Sequence, residues 1–230
     1  MFKKISNNKV YNQIITQIKE NIKTGQLQKG DRLPSERNMS EQMGVSRATI
    51  REALRSLEIM GIIKCVQGEG NFICDNLDNS LIEPLSMMFM LNQGKLNEIN
   101  ELRRALELEA VKLASERISE ESVKIIEDLC ETIVSSKDES KRAQADKKFH
   151  YEIAKASGNV FIMNILSASS SLMENFIKDV RTMMLMEEKN IDIINEHHRG
   201  IVEGLKNRDS KLALKYMKAH MDMINSFVSE

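Results

Sequence analysis

The stretch Leu33-Pro-Ser-Glu-Arg-Asn-Met-Ser-Glu-Gln-Met-Gly-Val-Ser-Arg-Ala-Thr-Ile-Arg-Glu52 constrains this chain more than any other. It reads as two short helices around a tight turn. Ser35 is placed to cap the first, because its hydroxyl oxygen can accept an otherwise orphaned backbone N–H. Met39 and Met43 lie four apart on one face of that helix. Gly44 ends it, where a left-handed residue is usually needed. Val45 enters the turn and Ser46 caps the next helix. Ile50, Ala53, Leu54 and Leu57 give that second helix an inner face. Arg47 and Arg51 fall one turn apart on its outer face, at the N-terminal end. A helix-turn-helix presents its recognition helix to the DNA major groove in this way. Arginine suits the task because its planar fork bonds O6 and N7 of guanine together. Two arginines alone fit an ordinary solvated helix face better. The Gly44-Val45-Ser46 turn and the flanking segments favour the DNA-reading assignment.

Upstream, Val10, Ile14, Ile15, Ile18 and Ile22 recur at spacings that predict an amphipathic helix over 10–24, ended by Gly25. Gly30-Asp31-Arg32-Leu33-Pro34 is a loop, and Pro34 pre-sets the chain for a helix start. Downstream, the recognition helix runs to about Met60 and Gly61 stops it. Ile62–Val66 and Asn71–Cys74 are short β-prone runs joined by the Gly-rich turn Gln67-Gly68-Glu69-Gly70, which predicts a hairpin. Asp75 to Ser80 is polar, with Asn and Asp repeated. The chain is accordingly divided into a DNA-binding domain at 1–75, a linker at 76–80 and a second domain at 81–230.

These segments resemble the winged helix-turn-helix of the GntR family of bacterial transcription regulators over residues 10–74. The matching residues include Ile14, Ile18, Ile22, Gly25, Leu27, the run Gly30 to Arg37, the run Gly44 to Leu54, Leu57, Gly61-Ile62-Ile63 and Gln67 to Phe72. The resemblance implies phosphate or base contacts from Arg37, Ser46, Arg47, Thr49 and Arg51, and a wing tip at Gln67-Gly68. Many relatives have Thr where this chain has Ala48, which bears on the base read there.

Two domains also fit the length of 230 residues. Aromatics are 4%, Trp is absent and there are two prolines, a composition that predicts a mainly α chain. The formal net charge of -1 hides an asymmetry: residues 1–75 hold 12 Lys+Arg against 8 Asp+Glu, and the remainder holds 21 against 26. The positive half is the half with the recognition helix, as phosphate binding requires. Cys65, Cys74 and Cys130 make no C-x-x-C pair, and their odd number argues against a secreted disulfide framework. Cys65 and Cys74 flank the hairpin, so either a chance cross-strand contact or plain free thiols fits. Met1 to Asn7 lacks the apolar core of a signal peptide, and Leu81 to Leu91 is too short to span a bilayer. The expectation is a cytoplasmic protein.

Beyond the linker, Pro84 opens a short apolar helix, Leu85 to Leu91. Further helices are predicted at about 96–117, 119–136, 140–157, 160–185, 188–207 and 209–228, an all-α bundle of six or seven helices. All four histidines lie here. Ile191, Ile194, His198, Ile201 and Leu205 form one stripe at helical spacing. Ala213, Met217, His220, Ile224 and Phe227 form a second, and Asp146, His150 and Ile153 a third. Asp146 and His150 are four apart, so one helix can bring both to one point. His197 falls one step off its stripe and is expected to be exposed. Three inward imidazoles and a carboxylate suit a divalent transition metal such as zinc, nickel or manganese. Hydrogen-bonded core histidines fit the same spacing. No H-E-x-x-H is present, so the pattern is not that of a zincin.

In this half, Glu101 to Glu107, Asp146 to His150, Ala156-Ser157-Gly158-Asn159 and the span His198 to His220 resemble the FCD ligand-binding domain of the FadR-like branch of GntR regulators, over about residues 80–228. The resemblance implies a metal held by Asp146, His150, His198 and His220, with an organic acid effector in the same cavity. Arg103 lies among Ile99, Leu106 and Ala110, and either points inward toward such an acid or snorkels to the surface. The combined expectation is a homodimeric repressor that reads an inverted repeat in double-stranded operator DNA. A small carboxylate effector would control it, with no membrane association. The alternative is a metal-dependent hydrolase joined to a DNA-binding head, although no Glu or Asp stands out as its general base.

Overall fold

The structure is a computed structural model that describes residues 8–74, 82–91, 96–172 and 188–227. Contacts divide the chain into two compact units, Met1–Ser80 and Leu81–Glu230.

In the first unit, α1 (Asn8–Lys23), α2 (Glu36–Met43) and α3 (Arg47–Ile59) precede a hairpin of β1 (Ile63–Val66) and β2 (Gly70–Ile73). The local chemistry sets each boundary. Ser35 caps α2 by accepting the Asn38 N–H, Gly44 closes it at φ 63°, and Ser46 caps α3 by accepting the Thr49 N–H. Ile50, Ala53, Leu54 and Leu57 are buried and pack with Ile14, Ile15, Ile18, Leu33, Met39, Ile63 and Ile73. This single core fixes α3 against α1 and the hairpin. The two strands are antiparallel with Ile63 opposite Ile73 and Val66 opposite Gly70. Cys65 faces Asn71 in that register. None of the three cysteines is in a disulfide, so no cross-strand bridge forms.

In the second unit, α4 (Ile82–Leu91) begins two residues before Pro84 rather than at it. Pro84 therefore sits in the first helical turn, where a missing N–H costs no intrahelical bond. Then come α5 (Leu96–Arg117), α6 (Glu120–Ser135), α7 (Glu139–Ala156) and α8 (Val160–Leu172). The last two are α9 (Glu188–Lys206) and α10 (Ser210–Ser226). The predicted linker 76–80 and the C-terminal part of the predicted 160–185 helix lie outside the described residues. The main core joins α5, α6, α7, α9 and α10 through Val111, Ile126, Ile133, Phe149, Ile153, Ile201, Leu205, Met217 and Met221. A smaller cluster of Ala110, Ala154, Ile162 and Leu166 seats α8 on α5 and α7. No helix among the described residues is long and apolar enough to cross a membrane.

Two glycines on α9 set how closely α10 approaches. A Cβ built on Gly204 would stand 2.7 Å from Ala213 Cα, and one on Gly200 would stand 2.5 Å from Tyr216 Cε2. Any side chain at Gly204 would collide with backbone. The close crossing brings the rings of His198 on α9 and His220 on α10 to a centroid separation of 4.8 Å.

Candidate functional site

The inward stripes of α7, α9 and α10 converge. One ligand atom each from Asp146, His150, His198 and His220 lies within 4.8 Å of all the others. His150, His198 and His220 are buried, at 5%, 0% and 3% exposure. Phe149 packs edge-on to His198 at 5.1 Å and to His150 at 5.7 Å, closing the cluster from the core side.

The hydrogen bonds around these rings show that the cluster fits a cation. His198 Nδ1 lies 2.9 Å from the Ile194 carbonyl oxygen, which can only accept, so Nδ1 carries the proton. In the neutral ring, Nε2 is then a lone pair, and it lies 2.9 Å from Asp146 Oδ1. Two acceptors facing each other at that distance need a proton or a metal ion between them. Among the described residues, neither ring nitrogen of His220 and not Nε2 of His150 has a hydrogen-bond partner. Burial first, then the neighbouring His198 and His150, push the His220 pKa well below its ordinary value. His220 is therefore neutral, which is the ligating form. Two buried imidazoles with unused lone pairs, a third oriented by a backbone carbonyl and a carboxylate fit a divalent transition metal.

His197 is not exposed, as its place off the stripe suggests, but half-buried. Its ring lies edge-on to His220 at 6.2 Å and 6.5 Å from Tyr216. It belongs to the packing around the cluster and is not among the four converging groups.

Arg103 points inward, at 5% exposure, and does not snorkel. Its Nε is 3.5 Å from Glu107 Oε1, one helical turn along α5. The same oxygen is 3.1 Å from His150 Nδ1. Glu107, only 1% exposed, is the residue that sequence reasoning missed as a site member. Its signal was present: it lies four residues after Arg103 on the same inward face. Burial pushes its carboxyl up, but His150 and Arg103 outweigh burial and hold it below the usual range. Its Oε2 has no hydrogen-bond partner among the described residues. Glu107 and His150 form one wall of a cavity of about 380 Å³ between α5, α7 and α8.

In the first unit, Arg47 and Arg51 are exposed on α3. Arg51 is held by Glu36, with Nη2 2.8 Å from Oε2 and Nε 3.2 Å from Oε1. That hydrogen bond is also what lowers the Glu36 pKa. Arg37 donates from Nε to Glu41 Oε1 at 2.9 Å. The Ser46 hydroxyl lies 2.8 Å from Thr49 Oγ1, beside its cap on the Thr49 N–H. Gln67 and Gly68 form the exposed hairpin tip, with Gly68 at φ 82°. Arg32 lies over Gly70, its Nε 3.5 Å from where a Cβ would stand, and its backbone bridges to Phe72.

Comparison with known proteins matches the two halves of the chain to known families. The model of the FCD domain matches residues 98–223, and that of the bacterial regulatory proteins, gntR family, matches residues 10–73. The HTH-type transcriptional regulator LutR of Bacillus subtilis (strain 168) is 29% identical over 90% of this chain and 96% of its own. A protein of Escherichia coli (strain K12), provisionally named as an L-lactate dehydrogenase operon regulatory protein, is 28% identical over 87% of this chain and 79% of its own. The solved structure of a Streptococcus agalactiae GntR protein shares the fold, with a TM-score of 0.70 at 24% identity, covering 94% of this chain and 99% of that one. The chain belongs to the GntR family of bacterial transcription regulators, in the branch whose second domain is an FCD domain.

Proposed function

We propose that this regulator is a cytoplasmic homodimeric repressor. It holds an inverted-repeat operator with α3 and the hairpin tip, and releases it when a small organic acid binds beside a metal in the helical domain. Arg47, Arg51 and Thr49 face the major groove, Arg37 and Ser46 contact phosphate, and Gln67-Gly68 reach the neighbouring groove or backbone. Asp146, His150, His198 and His220 hold one divalent transition metal: zinc, nickel or manganese. Such an ion supplies a positive centre with open positions suited to oxygen donors. Arg103 pairs with the acid. The acid class is small: a hydroxy acid, sugar acid or dicarboxylate.

The observation that carries this reading is the convergence of three buried imidazoles and a carboxylate beside a buried arginine, in a domain of a ligand-sensing family. The provisional name of the Escherichia coli relative, which mentions L-lactate, is consistent with a small hydroxy acid. Ligand binding can shift the grip on DNA only by the difference in its affinity for the two states. The family is one of transcription regulators, so the hydrolase alternative is set aside.

The test has two arms. Metal analysis and thermal unfolding should show that native protein carries one metal per chain. His198→Ala should lose it and melt at a lower temperature, while His197→Ala keeps it. Operator titrations with a panel of acids should show release by at least one. Equal metal content in the two variants, or an operator affinity that no acid moves, removes the corresponding half of the reading.

A further inference from the structure

The loop between α1 and α2 joins the hairpin in one small sheet. Gly30 donates its backbone N–H to the Ile73 carbonyl oxygen at 3.0 Å, and Leu33 donates to that of Asn71 at 2.8 Å. Ile73 in turn donates to the Asp31 carbonyl oxygen at 2.8 Å. This sets Arg32 opposite Phe72, which pairs on its other side with Lys64. Paired side chains share a face of a sheet and successive ones alternate. Ile63 and Ile73 are buried in the core, so Lys64, Phe72 and Arg32 form a row on the outer face. From that row the Arg32 side chain runs toward the hairpin tip. Its Nε and Nη2 lie 3.5 and 3.6 Å from where a Cβ on Gly70 would stand. Gly70, at φ 116°, is the first residue of β2 after the tip. A side chain longer than a methyl there would push the guanidinium away; glycine leaves it resting on bare backbone.

Charge shows what this placement does. Between Val66 and Ile73 the hairpin carries one charged side chain, Glu69, and it is an exposed acid. A tip that approaches DNA with that acid and no cation is repelled by the phosphates. Arg32 brings the missing positive charge from a different segment. It is exposed, and its side chain has no hydrogen bond or ion pair among the described residues. Arg37 and Arg51, by contrast, already donate to Glu41 and Glu36. Asp31, beside Arg32 in sequence, accepts the Gln28 N–H at 2.7 Å. A planar guanidinium supported on one side by backbone gives up little freedom on binding, and its fork matches two phosphate oxygens.

Resting on the DNA-binding reading above, we propose that Arg32 is the phosphate contact of the wing. The α1–α2 loop supplies it, Gly70 makes room for it, and it offsets Glu69 where the hairpin tip meets the duplex. Its role is to anchor the wing on the DNA backbone, not to read a base.

Two duplexes of equal length serve as probes: one that the native, full-length protein selects from a random-sequence pool, and one of scrambled sequence. Titrations across salt compare native protein with Arg32→Gln and Arg32→Lys. Arg32→Gln should weaken binding to both duplexes by a similar factor. Its slope of log Kd against log salt should be smaller by about one for each head on the DNA. Arg32→Lys keeps the charge and should keep the native slope. A side chain that only supported the hairpin would lower the melting temperature and leave the salt slope alone. A native slope in Arg32→Gln overturns the proposal, and so does a loss confined to particular base pairs. A second measurement needs no variant to fold. An arginine-specific dicarbonyl reagent, read by peptide mass spectrometry, should label Arg32 in free native protein and much less with the selected duplex bound. Equal labelling in the two states overturns the proposal. If native protein binds neither duplex, the DNA-binding reading fails with it; if native protein binds and Arg32→Gln matches it at every salt concentration, only the proposal fails.

Discussion

Arg47 and Arg37 are both exposed, yet they differ in what surrounds them. Arg37 leans on Glu41 one turn along α2, an exposed pair of the kind worth little in stability. Arg47 begins α3 just after the Ser46 cap, with no side-chain hydrogen bond among the described residues. Arg47→Ala should cost ~1–3 kcal/mol at one base position per half-site and relax the preference there. Arg37→Ala should weaken binding evenly across sequences and reduce the salt slope by about one. Operator titrations across salt concentrations and base substitutions separate the two patterns, and identical behaviour by both variants would contradict the assignment. The outward placement of Arg47 was legible in the sequence because helical periodicity fixes it. The Arg51 fork on Glu36 was not. Those residues are 15 positions apart on different helices, and only the angle between α2 and α3 brings them together.

At the scale of elements, the site depends on how closely α9 and α10 cross. Gly204→Ala removes a poor helix former, which by propensity alone should gain about 1 kcal/mol. The added Cβ, however, meets the backbone of Ala213, which cannot rotate away. Overpacking of this kind costs typically ~1–3 kcal/mol, so the net effect should be destabilising. It should also part His198 from His220 and weaken metal retention. Gly200→Ala meets the Tyr216 ring, which can turn, and should be milder. Thermal unfolding with a chelator competition on both variants checks the order. A Gly204→Ala protein as stable and as metal-retentive as the native one would mean that the crossing tolerates separation. The inward stripes carrying His150, His198 and His220 were readable because each is a pattern within one helix. The convergence of those stripes was not, since nothing local records which helices cross or how closely. Glu107 shows the same limit: its spacing from Arg103 was visible, but its contact with His150 on α7 belongs to tertiary packing.

At the scale of the whole molecule, each unit has its own core, and the candidate metal ligands all lie in the second. One α3 exposes few base-reading side chains beside Arg47, Arg51 and Thr49, fewer than tight specific binding usually requires. A two-fold dimer doubles the contacts and ties their spacing to the symmetry of the site. The second unit also leaves apolar side chains exposed. Leu91 and Phe161 are each 76% exposed, and Met88 and Val160 are about half exposed. Such residues are the material from which a self-complementary interface is made. The expected outcome is a dimer in sedimentation of the free protein, and one dimer per DNA carrying both half-sites. DNA carrying a single half-site should bind far more weakly, because the second head then gains only non-specific phosphate contacts. A monomer in both free and DNA-bound states would rule the dimer out. A dimer that binds one half-site as tightly as two would keep the assembly but remove its role in reading the operator, leaving α3 and the hairpin tip of one head to supply all of the specificity.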